Sequence, residues 1–350
     1  MRTMLEVINS IPKLLKAQVA QAPALKAEFS DLKMTHVVMI ASGSSYNAAL
    51  GAKLFAEEKL NLNIELFYPN YFLHHVFPHR IQKDALYLFI SQTGRTKTVL
   101  HIIEQLNQKA VPTAALTESL ASPIAQAARY SFPIGSQNEP YLFRTSGYTL
   151  SLVTLYMLLL QLSVNNQQLT QPYQDYYLEE LRIVGRRLPK VIRKSQRWYH
   201  QHRQTMQNSQ AFIFAGGGEL WATAQEAEIK FMEMVPIITN SYEIEELIHG
   251  PQNCFHAGMT FFLLSESWAD VNKANKIQAF IESEITPNVF LLSRPIKTNC
   301  LEPHFLGQNF TNLEYITFLQ VLSYLTAQDH KRDLTKTMFP RLTKYLNKTV

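Results

Sequence analysis

Glu226, Lys230, Glu233 and His249 are the residues of this 350-residue chain whose types and spacing could carry out proton chemistry. They lie in GGGELWATAQEAEIKFMEMVPIITNSYEIEELIHGP, residues 216–251. On a helix, positions i, i+4 and i+7 share one face, so the two glutamates and the lysine would stand in a row. A carboxylate and an imidazole converging on a sugar could move protons between neighbouring carbons and ring oxygens, which is the chemistry of aldose–ketose interconversion. The preceding AFIFA, residues 211–215, reads as a buried strand, and glycines at its end let a ligand approach the backbone amides of the following helix. Taken singly, the same residues also fit quieter roles. Glu226 and Lys230 make an ordinary i, i+4 helix pair, Glu233 could be solvated, and His249 before Gly250 and Pro251 could simply end an element.

From Gly216 to Pro251 the chain resembles, without a gap, the sugar-isomerase (SIS) segment of glucosamine-6-phosphate synthase. There a GxG turn precedes ALEGALKLKE and then GELKHGP; here the corresponding stretches read AQEAEIKFME and EELIHGP. Glu226, Lys230, Glu233 and His249 all fall on the pattern. The resemblance implies that Glu233 shuttles the proton between C1 and C2 and that His249 assists ring opening. It also implies that His249 is donated by a neighbouring subunit, so that the active unit is a homodimer or a higher homo-oligomer.

Two N-terminal segments concern phosphate. HVVMIASGSSYNAALGAKLFAEE, residues 36–58, and ALYLFISQTGRTKTVLHIIEQL, residues 85–106, each read as strand, hydroxyl-rich turn and helix. Ser, Thr and Gln side chains with free amides at a helix N-terminus suit a phosphate oxyanion. Ser and Thr before a helix are also its commonest N-caps. Both turns resemble the family's phosphosugar loops, commonly written GTSYHA and SQSGET, which places Ser45, Ser91, Gln92, Thr93 and Thr96 at the phosphate-binding positions. Thr93 keeps a hydroxyl where the family often has Ser, and Arg95 replaces a common Glu. GGGELW is not a GxGxxG fingerprint and no acidic residue is placed for a dinucleotide. A nicotinamide cofactor is not expected, nor any other.

The last sixteen residues, TKTMFPRLTKYLNKTV, resemble the family's PRNLAKSVTVE tail, whose lysine forms a Schiff base with the open-chain sugar. Lys344 is the nearest match, one residue short between Arg341 and Leu342, and Lys348 stays open as the alternative. A mobile, solvated basic tail is the other reading. The chain begins Met1, Arg2, Thr3 and leaves no room for the synthase's glutaminase domain with its N-terminal cysteine. Glutamine-dependent amination by this chain alone is therefore not expected. The resemblance points to an enzyme acting on a ketosamine or amino-sugar 6-phosphate, either a deglycase or a deaminase/isomerase. EPYLFRTSGYTLSL, residues 139–152, leans towards the deglycase branch, and Arg144 or Arg95 could face a substrate carboxylate. The alternative is a non-catalytic phosphosugar-binding regulator, which would have no need for Glu233 and His249.

Elements that would hold these groups follow from hydrophobic patterning. Residues 1–30 read as helical, with Leu5, Ile8, Ile11, Leu14 and Leu15 in phase. From about residue 33 to 162, the strands VVMI, IELFY, LYLFI, TAAL and YSFPI alternate with helical stretches, which argues a parallel sheet wrapped by helices. AFIFA, MTFFLL and VFLLS repeat that grammar up to a helix near 311–327. The resemblance implies the same α/β class: two tandem SIS domains, each a three-layer α/β/α sandwich with a parallel sheet. The expected partition is a helical segment 1–30, a first SIS domain 31–165, a helical connector 166–205, a second SIS domain 206–335 and a tail 336–350.

Composition narrows the partners. Lys and Arg number 33 against 28 Asp and Glu, a formal charge of +5 that fits small anionic substrates. The one dense basic cluster, RIVGRRLPKVIRKSQR at 182–197, reads as a charged helix face rather than a nucleic-acid surface. Cys254 and Cys300 have no metal-ligand or disulfide spacing, so a cytoplasmic protein is expected. His74, His75 and His79 are interrupted by Pro78 and lack a carboxylate or thiol partner, so no metal is expected there. No signal peptide is read in residues 1–23. The apolar run at 152–162 is shorter than the roughly 20 residues of a membrane span and reads as a buried helix. No membrane and no nucleic-acid partner is expected.

Overall fold

The computed structural model describes residues 2–137, 139–293 and 308–350. It comprises two compact units: Lys13–Pro140 with Ser146–Arg182 and Lys336–Val350, and Met1–Pro12 with Tyr141–Thr145 and Ile183–Thr335.

The first unit is built on a five-stranded parallel sheet of β1 (His36–Ala41), β2 (Asn63–Phe67), β3 (Ala85–Ile90), β4 (Thr113–Thr117) and β5 (Tyr130–Pro133), in the order β2-β1-β3-β4-β5. These are the five strands expected from the apolar runs. Every residue of β3 and β4 is buried, as a central parallel strand covered on both faces must be. The covering comes from helices such as Ser44–Leu60 and Lys97–Gln108; Ile102, Ile103 and Leu106 of the latter pack on Val38, Ile40, Tyr87 and Phe89.

The apolar run at 152–162 lies inside the helix Ser146–Asn165, whose residues 146–163 are all buried. By length and composition this helix could cross a membrane, but 94% of its apolar window is covered by protein. Tyr156 donates its hydroxyl to the Gly51 carbonyl at 3.0 Å and Ser163 to that of Leu60 at 3.0 Å, joining it to the helix Ser44–Leu60. Its first amides are capped by buried Glu139, which accepts from Ser146 N at 3.1 Å and Gly147 N at 2.9 Å.

The second unit holds a four-stranded parallel sheet, β6 (Ala211–Gly216), β7 (Ile238–Glu243), β8 (Met259–Ser265) and β9 (Val289–Ser293), ordered β7-β6-β8-β9. Strand β7 is an element the apolar pattern does not reveal. Its sequence ITNSYE is polar because it is an edge strand with a single buried residue, Thr239. The basic cluster falls on the helix Gln171–Gln201 as a charged face: Arg186, Lys190, Arg193 and Arg197 are exposed, while Leu188, Val191, Ile192 and Trp198 are buried.

The end of that helix is tied to the helix Asn312–Asp329. Arg203 donates Nε and Nη2 to the two Asp329 oxygens at 2.8 and 2.6 Å, and the Tyr199 hydroxyl donates to Asp329 at 2.7 Å. The Arg203 guanidinium holds the Asp329 carboxyl below its ordinary value, and burial with the Asp329 contact pushes the Tyr199 phenol up. A carboxyl with a depressed folded-state pKa contributes stability above the unfolded value, near 3.8, and loses it as pH falls through the folded value. Asp329→Asn is expected to flatten the acid limb of the stability profile below about pH 4. Urea midpoints of both proteins from pH 7 to 3 check this, and parallel limbs would refute it.

Candidate active site

Strand order places the first set of candidate residues. In the first unit the order reverses between β1 and β3, which lie side by side with Ala41 opposite Ile90. The turns leaving their carboxyl ends, 42–45 and 91–96, therefore emerge together at a switch point, where open α/β sheets bind ligands. After β1 the helix Ser44–Leu60 starts behind Gly43 in a left-handed conformation, φ +57°, and Ser45, half-buried, sits in its first turn. After β3, Ser91 is buried and its hydroxyl oxygen lies 3.2 Å from that of Thr96. Thr96 occupies the N-cap of the helix Lys97–Gln108, yet its side chain does not cap it. The ordinary capping role is thus not what this hydroxyl does.

The 91–96 turn is held from behind. The Gln92 carbonyl accepts from Glu118 N at 2.9 Å and from the Thr117 hydroxyl at 3.2 Å, and Ile124 N donates to the Gly94 carbonyl at 3.1 Å. Gly94 has φ +62° and faces the side chains of Ser122 and Thr117, so a Cβ there would meet both. The buried Gln92 Nε2 has no hydrogen-bond partner among the described residues, and Gly147 leaves room for that amide. Thr93 is exposed. Tyr68, which follows β2, stacks on Tyr46 beside Ser45 with ring centroids 4.1 Å apart. This aromatic pair was not among the candidates from sequence; its signal was a tyrosine directly after a strand end.

The C-terminal segment lies against the same turn. Lys97 N donates to the Lys348 carbonyl at 3.1 Å and Val350 N to that of Arg95 at 2.9 Å, with an antiparallel bridge between Thr96 and Thr349. Arg95 also donates Nε to the Val350 carbonyl at 3.0 Å. Lys344 stands exposed on the short helix Leu342–Tyr345.

In the second unit the strand order reverses between β6 and β8, and Gly216–Gly218 lead from β6 into the helix Leu220–Met234. The row expected from spacing is there. Lys230 Nζ lies 2.6 Å from Glu233 and 3.7 Å from Glu226. Lys230 and Glu226 are sealed, with side chains 1% and 0% exposed, whereas Glu233 is 36% exposed. A buried ammonium is tolerable only when paired, so the two carboxylates hold Lys230 in place, and it in turn fixes the open one.

His249 is not drawn into that row. It follows the 3-10 turn Glu246–Ile248 after β7, 58% exposed, and its Nε2 lies 3.3 Å from Glu245 Oε1. Arg144 is half-buried in the segment Tyr141–Thr145 of the second unit. Cys254 is exposed, and Cys300 lies outside the described residues. His74, His75 and His79 are exposed, and among the described residues no group of three His, Cys, Asp or Glu could hold a metal ion.

Residues 32–161 match the family described as SIS domain. The isomerizing glutamine–fructose-6-phosphate aminotransferase of Vibrio cholerae serotype O1 is 26% identical over 239 residues, covering 67% of this chain and 38% of that protein. The match thus spans about two fifths of the curated relatives' length. A solved structure of a candidate phosphosugar isomerase from Clostridium difficile 630 superposes with TM-score 0.90 at 19% identity, covering 99% of this chain and 98% of that one. The C-terminal domain of glucosamine-fructose-6-phosphate aminotransferase from Francisella tularensis gives 0.86 at 19% identity, covering 95% and 98%. At such identities the likeness concerns the fold, which is the tandem α/β architecture of these proteins.

Gly94 offers a direct check on the 91–96 turn. Alanine there must take a left-handed conformation and displace Ser122, so Gly94→Ala is expected to cost about 1–3 kcal/mol of stability. It should also weaken binding of a sugar 6-phosphate more than that of the unphosphorylated sugar. Denaturation midpoints and calorimetric titration of both sugars test this; an unchanged ratio of affinities would detach the turn from phosphate.

Proposed function

We propose that this chain, whose residues 32–161 match the SIS domain family, is an enzyme transforming a ketosamine or amino-sugar 6-phosphate. The reaction opens the sugar ring and then transfers a proton between C1 and C2, as a deglycase or a deaminase/isomerase would. The observation that carries this reading is the row on one helix face: a sealed lysine, a sealed glutamate and a half-open glutamate. A purely structural ion pair has no need to leave one carboxylate accessible.

Each group has a distinct task. Ser45, Ser91, Gln92, Thr93 and Thr96 would bind the phosphate through hydroxyls, the Gln92 amide and the first amides of two helices. The unpartnered Gln92 Nε2 supports this, since a phosphate oxygen would supply the missing acceptor. Glu233 would take the proton from one carbon, leaving an enediol or enaminol, and return it to the next. Glu226 and Lys230 would keep its carboxylate in position. His249 would assist ring opening, and its exposure suits a side chain that serves a neighbouring copy of this chain in a homo-oligomer. Lys344, or Lys348 as the alternative, would form a Schiff base with the open sugar.

Two outcomes test the reading. Glu233→Gln removes the base and keeps the shape, so turnover of fructosamine and amino-sugar 6-phosphates should be abolished while their binding stays nearly intact. Released amine and calorimetric affinity measure the two effects, and near-normal turnover would remove Glu233 from the mechanism. Mixing inactive Glu233→Gln with inactive His249→Ala should regenerate activity if subunits share sites. No recovery after verified subunit exchange, or a fully active monomer in sedimentation, rules the shared site out.

A further inference from the structure

The turn that carries His249 is anchored by two apolar side chains. Ile244 and Leu247 are buried in one cluster with Ile213, Phe261, Ala274 and Ile277. Ala274 and Ile277 belong to the helix Trp268–Glu284, so the packing that seats the turn also lays this helix beside it. Lys273, next to Ala274, thereby reaches Glu245 and pairs with its Oε2. The Glu245 backbone is fixed too: its N–H donates to Glu243 Oε2 at 2.6 Å, and its carbonyl accepts from Ile248 N at 3.2 Å. The remaining oxygen, Oε1, lies 3.3 Å from His249 Nε2.

We propose that Glu245 is a positioning residue for His249, held in place by Lys273, and that it selects the imidazole tautomer used in ring opening. The inference rests on the phosphosugar reading above. Glu245 stands where the family pattern GELKHGP has glycine, so this arrangement is a feature of the chain itself. A carboxylate can only accept, so the shared proton sits on Nε2 and the neutral ring keeps Nδ1 as its open acceptor. In ring opening the anomeric O–H bond breaks and its electron pair closes the carbonyl. The bond from the anomeric carbon to the ring oxygen breaks in the same step, and that oxygen ends protonated. Nδ1 relays this one proton, taking it from the anomeric hydroxyl and giving it to the ring oxygen. A ring free to rotate or to exchange tautomers would present the right nitrogen only part of the time.

Two measurements test the proposal. Imidazole 15N shifts should report the Nε2–H tautomer of His249 in the native protein and a mixture in Glu245→Ala. Anomer exchange of fructose 6-phosphate, followed by NMR in the Glu233→Gln background where proton transfer between carbons is blocked, reads ring opening alone. Glu245→Ala is expected to slow it about 10–100-fold, the scale typical of losing a partner that orients a histidine. Glu245→Gln, whose amide oxygen still accepts, should recover part of the rate, and Lys273→Met should fall between. Shifts and exchange both unchanged in Glu245→Ala would overturn the positioning role. A Glu233→Gln protein that binds fructose 6-phosphate, holds the tautomer and still speeds no anomer exchange would overturn the ring-opening use of His249. A native protein that neither binds nor turns over any sugar 6-phosphate would bring down the phosphosugar reading instead, while the shifts still decide whether Glu245 sets the ring.

Discussion

Parallel pairing in both sheets is the constraint from which the candidate sites follow. Each strand must be joined to the next by a crossover on one face, so all carboxyl ends of a sheet open along the same edge. Where the strand order reverses, between β1 and β3 and again between β6 and β8, the chain leaves neighbouring strands in opposite directions and a crevice opens. Two hydroxyl-bearing turns occupy the first crevice. The glycine turn ahead of the helix Leu220–Met234 starts from β6, at the second. Residues about 50 positions apart, Ser45 and Ser91 to Thr96, thus become neighbours through the pairing of two buried strands.

Charge burial supplies the other organising element. Lys230 loses its water and is compensated by Glu226 beneath and Glu233 above. Removing Glu226, the sealed carboxylate, is far costlier than losing a surface pair, because it takes a counter-charge from a cation inside the protein. The arrangement is useful because the compensation is uneven: Glu226 is sealed and Glu233 is not. His249 is held by different means, on an exposed turn whose backbone is seated by Ile244 and Leu247. Rigidity thus resides in the helix row, while the histidine stands exposed to solvent.

The C-terminal segment shows how a tail can read one way in sequence and behave another way in the fold. Its basic and polar residues are interspersed with Met338, Phe339, Leu342, Tyr345 and Leu346, all exposed, so no buried face places the segment. In the structure Lys348 to Val350 pair by backbone hydrogen bonds with Arg95 to Lys97, a contact that any side chains would permit. Lys348 is brought beside the 91–96 turn by main-chain pairing that leaves no hydrophobic signature.

Local chemistry and periodicity were enough to determine much of this protein from sequence. Eight of the nine strands among the described residues announce themselves as apolar runs, most of them because they are buried, and the i, i+4, i+7 spacing puts Glu226, Lys230 and Glu233 on one face because a helix has 3.6 residues per turn. Strand β7 escaped the same reasoning, since an edge strand needs few apolar side chains. Other features were decided only by the tertiary structure. Thr96 turns to Ser91 instead of capping its helix, Gln92 presents beside Gly147 an amide without a hydrogen-bond partner among the described residues, and Lys273 reaches Glu245 because Ala274 and Ile244 share one buried cluster. Each depends on contacts between residues distant in the chain, and the strength and direction of such contacts are set by packing geometry that residue types alone do not encode.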